Sequence, residues 1–208
     1  NDTTQIVQQL GEQGFACIPA AQIASLSGNI SQNLRVLEGS WNDLPRDGYL
    51  RDGGKYRSRR HSSYIQDCAT GTLEIVPHRA HWQPLDYNAL HGGIERWFEP
   101  VAREVNENAA WRALILGIGN LFSQLKRVPE WYVEAHQFRI DTAEGVGRPT
   151  PEGAHRDGVD FVAVILVQRG DVRGGESRVF EADGPNGVRF TLRAPWTTLL
   201  LDDARVIH

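Results

Sequence analysis

From Val159 to His208 the chain is a succession of short apolar, β-branched segments separated by turns rich in Gly, Asp and Asn. His155-Arg156-Asp157 stands at the head of this succession and His208 at its end. Val159 to Val167 is almost unbroken apolar sequence and reads as a strand buried on both faces. Gly174-Gly175 marks a turn before Glu176-Ser177-Arg178-Val179-Phe180, and Asp183-Gly184-Pro185-Asn186-Gly187 marks the next. Val188 to Leu192 alternates as a half-buried strand; Thr197 to Leu201 and Arg205 to His208 complete the series. Short strands at this spacing predict a sandwich or jelly roll.

The bracketing residues carry chemistry. Residues two apart on an extended segment face the same way, so His155 and Asp157 can present an imidazole and a carboxylate together while Arg156 points away. With His208 they make two histidines and one carboxylate, a set that holds non-haem Fe(II) on one face and leaves positions open for oxygen chemistry. A surface loop whose Asp caps a turn would account for His155 and Asp157 alone, and a frayed terminus for His208 alone. The strand series between them favours the metal reading. Asp202, Asp203 and Arg205 are expected to shape the turn that presents His208, by a local ion pair or by hydrogen bonds behind the ligand.

From about Trp131 to His208 the sequence resembles the Fe(II)/2-oxoglutarate-dependent dioxygenases, which share the His-x-Asp…His ligands and often a Gly-Gly-Glu turn, here Gly174-Gly175-Glu176. More narrowly, Pro151-Glu152-Gly153-Ala154-His155-Arg156-Asp157-Gly158-Val159-Asp160-Phe161 and Leu199-Leu200-Leu201-Asp202-Asp203-Ala204-Arg205-Val206-Ile207-His208 resemble one branch of that family. It contains bacterial free-amino-acid hydroxylases of the isoleucine 4-hydroxylase type and homologues linked to biofilm formation. The resemblance implies a double-stranded β-helix with His155, Asp157 and His208 as ligands of Fe(II). It also implies 2-oxoglutarate and O2 as cosubstrates, and ascorbate as the reductant in vitro. The implied reaction is hydroxylation or sulfoxidation of a small free L-amino acid, with succinate and CO2 as co-products and no side-chain acid or base. The family anchors the distal carboxylate of 2-oxoglutarate on the strand after the second histidine. That strand is expected beyond His208, in a longer protein.

Trp131 to Ile140 predicts a strand with Gln137 and Arg139 on one face and His136, Phe138 and Ile140 on the other. In dioxygenases of this kind the strand before the His-x-Asp loop lines the cofactor cavity, so the resemblance makes Gln137 and Arg139 candidates for 2-oxoglutarate or substrate. A solvated polar face is the alternative. Tyr56 to Tyr64 predicts a second, cationic strand whose Arg57, Arg59 and Arg60 suit a substrate carboxylate, or a charged edge kept soluble. His61, His78, His81, His91 and His136 are scattered and read as surface or core residues.

The N-terminal part has helical periodicity. A helix is expected over Thr4 to Gln13, ended by Gly14, then a strand over Phe15 to Pro19. Further helices are expected over 21–37, over 85–105 with Leu90, Ile94, Trp97, Phe98 and Val101 at helical spacing, and over 108–125. Pro100 is expected to kink or interrupt the second of these. The fold class is thus α+β: one domain over 1–208, with a helical layer (about 1–130) on a jelly-roll core (about 131–208) and an active-site loop over Gly145 to Gly153.

Composition narrows the function. A net charge of −4, from 22 basic and 26 acidic residues, gives no nucleic-acid footprint. No apolar run approaches the roughly 20 residues that cross a bilayer, and Asn1-Asp2-Thr3-Thr4 has no export-signal pattern. Cys17 and Cys68 make no disulfide framework. A cytoplasmic enzyme acting on a small molecule is expected, as a monomer or homo-oligomer. Two alternatives stay open: a cupin-like oxygenase or isomerase that does not use 2-oxoglutarate, and a non-catalytic jelly-roll binding protein.

Overall fold

The computed structural model describes residues 2–26, 31–88, 90–143, 145–149 and 153–208. Helix α1 (Asp2–Gln13) buries Ile6 and Leu10 and stops at Gly14, whose N–H donates to the Leu10 carbonyl at 2.9 Å. Gly14 has φ 81°, and a Cβ there would lie 3.0 Å from Val206 and 3.2 Å from Arg205. Glycine is therefore required both by the left-handed helix end and by the close approach of the chain before His208.

Strand β1 (Phe15–Ile18) leaves that turn and is followed by α2 (Ala20–Leu26), α3 (Ser31–Leu37) and a 3₁₀ turn (Glu38–Asp43). Of the helix expected over 21–37, the stretches within Ala20–Leu26 and Ser31–Leu37 are helical, and residues 27–30 lie outside the described residues. Then come β2 (Arg57–Asp67), β3 (Leu73–Ile75), α4 (Arg103–Asn106), α5 (Ala109–Ser123) and β4 (Glu130–Ile140). The C-terminal series is β5 (Phe161–Ile165), β6 (Glu176–Glu181), β7 (Gly187–Thr191), β8 (Thr198–Asp202) and β9 (Val206–Ile207). Helix α5 begins where expected because the Asn108 side chain accepts hydrogen bonds from Ala110 N and Trp111 N.

The helix expected over 85–105 does not form. Its N-terminal half is a set of turns closed by Tyr87 and Asn88 N–H on the Pro84 carbonyl and Gly92 N–H on Asn88. Gly93 has φ 75°, and a Cβ on Gly92 would meet the Asn88 and Pro84 carbonyl oxygens at 2.4 and 2.6 Å. Arg96 then pairs with His81 in an isolated antiparallel bridge, and only the short α4 follows Pro100. Two prolines and a Gly-Gly pair outweighed an apolar spacing that leaves Leu85 and Trp97 exposed.

Among the described residues the strands form three antiparallel sheets, in the orders β1-β8-β5, β3-β2-β4 and β7-β6-β9. Strands β2 and β4 pair along their whole length, from Arg57↔Ile140 to Asp67↔Glu130. Directly opposed residues share a face. Arg57, Arg59, His61 and Ser63 therefore lie with Ile140, Phe138, His136 and Glu134, whereas Arg60, Tyr64 and Gln66 lie with Gln137, Val133 and Trp131. The latter face packs on α5: Trp111 Nε1 donates to Tyr64 Oη at 3.0 Å, and Gln66 Nε2 donates to Leu116 O and Asn120 Oδ1.

One hydrophobic cluster joins α1, β1, α2, α3 and α5 to Trp131 and Leu200. A second, smaller one joins Val179 and Val206 to Leu199 and Leu201. Strand β8 is thus covered on both faces by strict alternation. Strand β5 is not buried as its sequence predicts. It pairs only with β8 among the described residues, and Val164 is 40% exposed. Continuous apolar sequence marks a potential for burial; an edge position leaves part of it unused.

Candidate metal centre

His155 and His208 are joined backbone to backbone. His155 N–H donates to the His208 carbonyl at 2.8 Å and His208 N–H returns the bond at 3.0 Å. This is the hydrogen-bonded antiparallel pair, which sets two side chains opposite one another; the imidazole centroids are 4.7 Å apart. Asp157 completes the group, with Oδ1 3.4 Å from His155 Nε2 and Oδ2 3.4 Å from His208 Nε2. Two donors each about 2.1 Å from one metal ion are about 3.0–3.4 Å apart at octahedral to tetrahedral angles. Both histidine–Asp157 contacts reach the upper end of that spacing, the donor atoms of all three lie within 4.8 Å of one another, and each residue is half-buried.

The surroundings fix these positions. His155 Nδ1 lies 2.9 Å from the Gly153 carbonyl, a contact that with a proton on Nδ1 would free Nε2, the nitrogen facing Asp157, for an ion. Gln83 Nε2 donates to Asp157 Oδ1 at 3.2 Å. Burial acts to raise the Asp157 pKa, but hydrogen bonds and charge from His155 and His208 outweigh it and hold the carboxyl well below the usual range. An anionic carboxylate between two imidazoles is the donor set that a divalent iron-type ion accepts.

The most informative supporting residue is Asp203, whose side chain is fully buried. Its carboxylate accepts backbone N–H bonds from Asp157 at 3.0 Å, Gly158 at 2.7 Å and Val159 at 3.1 Å, and its carbonyl accepts from Arg156 Nε at 2.6 Å. The ligand loop is therefore wrapped around a residue that is itself five positions before His208. Gly158 has φ 78°, and a Cβ there would strike the Tyr87 ring at 2.7 Å. Asp203 thus holds the backbone of the loop that carries His155 and Asp157. Arg205 acts elsewhere: it caps α1 through the Gly11 and Glu12 carbonyls, which a cation at a helix C-terminus does favourably.

The remaining candidate residues are placed as follows. Gln137 and Arg139 lie on the face of β4 opposite His136 and donate to Ser40 Oγ (2.9 Å) and Asn42 Oδ1 (3.2 Å) of the 3₁₀ turn. Arg57 is buried and bonded to Asp47 (2.9 Å from Nε, 2.8 Å from Nη2) and to the Pro149 carbonyl. Arg59 is buried on the same face, with its guanidinium over the Phe98 and Phe138 rings and 2.7 Å from His136 Nδ1. Arg60 points to the other face and bonds the Asp43 and Pro100 carbonyls. The three arginines thus do not act as one patch. Of the Gly145 to Gly153 loop, residues 150–152 lie outside the described residues, including Pro151 and Glu152 of the ligand segment.

Three histidines that read as scattered come together. His61 and His136 are register partners on β2 and β4, and with His81 and Glu134 they form a second group with donor atoms all within 4.8 Å of one another. The signal was present only as a histidine on each of two strands, which fixes no register until both strands are aligned. Gln83 gave no sequence signal at all.

A sequence model of the 2OG-Fe dioxygenase family matches residues 38–208. A crystal structure of a bsmA homolog from Methylobium petroleophilum is 54% identical, with a TM-score of 0.94 over 99% of this chain and 82% of that one. At 16% identity the fold is also shared with IDO from Bacillus thuringiensis (TM-score 0.77, 99% and 85% of the two chains). An Fe(II)/α-ketoglutarate-dependent dioxygenase, TqaL, is likewise 16% identical (TM-score 0.69, 99% and 77%). No curated protein sequence matches. The chain belongs to the 2OG-Fe dioxygenase family, non-haem iron enzymes that use Fe(II), 2-oxoglutarate and O2.

Proposed function

We propose that the protein hydroxylates or sulfoxidises a small free L-amino acid, with Fe(II) held by His155, Asp157 and His208. The observation that carries this reading is the convergence of the three side chains on one point in a member of this family. The bound metal with 2-oxoglutarate and O2 supplies an oxidant strong enough to attack an unactivated C–H bond or a thioether, releasing succinate and CO2. The chain's own residues supply position. Gly153 and Gln83 fix the His155 ring and the Asp157 carboxylate, and the Asp203 carboxylate holds the loop that carries them. In this reading the three sheets and the helices that share their core are one jelly-roll domain with a helical layer.

A free amino acid presents a carboxylate that a guanidinium grips. Arg59 is the residue proposed for that contact: it is buried, and its Nε has no hydrogen-bond partner in the described structure. Arg57 is committed to Asp47, and Arg60, Gln137 and Arg139 face the opposite side of the sheet.

Two measurements test the reading. Asp157→Ala is expected to lose iron bound at this centre and all succinate production in the presence of Fe(II), 2-oxoglutarate and ascorbate; undiminished iron at His155 and His208 would remove Asp157 from the ligand set. Incubation with each amino acid, read by mass spectrometry, is expected to show a gain of one oxygen in a small aliphatic or thioether substrate. Arg59→Ala is expected to raise its KM at least tenfold, equivalent to about 1.4 kcal/mol of lost binding. Oxygen gained only by a peptide or protein would overturn the amino-acid assignment.

A further inference from the structure

We infer that His61, His81 and Glu134 form a second divalent-metal site, separate from the His155–Asp157–His208 centre. His61 is 1% exposed, yet neither ring nitrogen has a hydrogen-bond partner; the buried His81 Nδ1 has only its ion-pair contact with Glu134. Leaving several polar atoms buried and unbonded is costly, and each such atom calls for an explanation. Two of them face one carboxylate: His61 Nε2 is 3.8 Å from Glu134 Oε1, and His81 Nδ1 is 3.2 Å from Glu134 Oε2. The His81 distance falls within the roughly 3.0–3.4 Å separation of two donors on a single ion, and the His61 distance is about 0.4 Å longer. The ring centroids of His61 and His81 are 5.4 Å apart and their planes cross at 59°, so both rings converge on the carboxylate.

His136 belongs to the cluster without being a ligand. Its Nδ1 lies 2.7 Å from Arg59, a group that can only donate, so the proton sits on Nε2 and no lone pair is left to face an ion. Its ring is also stacked on His61 at 4.6 Å and 22°, too nearly parallel for both to aim at one point. The ligand set is therefore two imidazoles and one carboxylate with nitrogen and oxygen donors, suited to Zn(II), Fe(II), Co(II) or Ni(II) and not to Ca(II) or Mg(II). A cavity of about 390 Å³ lined by Arg79, Ala80, Trp82, Tyr132 and Glu134 opens onto the carboxylate, with room for water or a small anion at the remaining position.

The two clusters share a stretch of chain. His81 serves the second site, and Gln83, two residues on, hydrogen-bonds Asp157 of the first. Arg96 bridges them as well: its backbone pairs with His81 and its guanidinium donates to Gln83 Oε1 at 3.0 Å. An ion on His81 would thereby fix the segment that orients Asp157.

The test is metal stoichiometry on the whole chain, loaded with Zn(II), dialysed and counted by plasma mass spectrometry. Two ions per chain are expected in the wild type, one in Asp157→Ala, one in His61→Ala and in Glu134→Gln, and none in Asp157→Ala/Glu134→Gln. His136→Gln is expected to keep both ions; loss of one would overturn the exclusion of His136. A single ion in the wild type that Asp157→Ala removes would overturn the second site. A single ion that Glu134→Gln removes and Asp157→Ala does not would uphold the second site and sink the reading of the first. Glu134→Gln changes one atom of a partly exposed side chain, so it decides the question if His61→Ala fails to fold.

Discussion

Asp203→Ala is expected to abolish metal binding by His155, Asp157 and His208 and to destabilise the fold by about 2–3 kcal/mol. The carboxylate is fully buried and satisfies three successive backbone N–H groups of the ligand loop. Removing it leaves those donors to find water. Without this anchor the loop around Gly158 keeps, among the described residues, the Gln83 bond to Asp157, the Arg156 bond to the Asp203 carbonyl and the Asp203 N–H bond to the Asp160 carbonyl. Donor spacing of 3.4 Å on both flanks of Asp157 depends on that anchor, and a shift of about 1 Å in one ligand is enough to spoil a site of this kind. Asp203→Asn, which keeps one oxygen acceptor, is expected to lose about half as much stability. Metal content and urea unfolding measured side by side decide the matter. Full metal occupancy in Asp203→Ala would show that the His155–His208 backbone pair alone holds the site.

The second large effect is expected from Asp47→Ala, at about 3–5 kcal/mol of stability. The Asp47 side chain is fully buried, and it is the counter-charge of two buried guanidinium groups: Arg57 at 2.8 Å and Arg59 at 3.6 Å. Deleting it strands two cations in a region already lined by Phe98 and Phe138. Burial acts to raise the Asp47 pKa, but the Tyr49 N–H and the two guanidinium groups overcome it and hold the pKa below the ordinary value. The sign follows from linkage. A depressed carboxyl pKa gives stability that is complete above the unfolded-state value and is lost as pH falls through the folded-state one. The wild type should therefore lose this contribution in acid, and the gap between wild type and Asp47→Ala should narrow there. Equal unfolding midpoints at neutral pH would contradict the assignment.

The strand series was legible in the sequence because period-2 alternation and Gly/Asn/Asp turns are local signals. Strands β4, β6, β7 and β8 fall where the residues predict them. The proposed ligand group was legible for the same reason: His155 and Asp157 are two apart, His208 ends the series, and the fold brings the three together. What failed was local as well. Apolar residues from Leu90 to Val101 mimic a helix, yet Pro84, the Gly92-Gly93 pair and Pro100 make turns there, and those turns deliver His81, Gln83 and Arg96 to the site.

The chain's residues by themselves determine which segments are strands, which carry the imidazoles and the carboxylate, and which family they resemble. Only the tertiary structure decides what each charged residue does. Arg57, Arg59 and Arg60 are alike in sequence, but the β2–β4 register turns two of them toward Asp47 and Phe138 and the third toward the Asp43 and Pro100 carbonyls. His61, His81 and Glu134 converge although 73 positions separate the outermost two (134 − 61 = 73). Asp203 reads as a turn residue and becomes the anchor of a loop that begins with His155. The physical reason is range. Backbone preference and hydrophobic period act over a few residues, whereas hydrogen bonds and charges act between whichever groups the packed sheets bring within about 4 Å, and one step of register inverts every face.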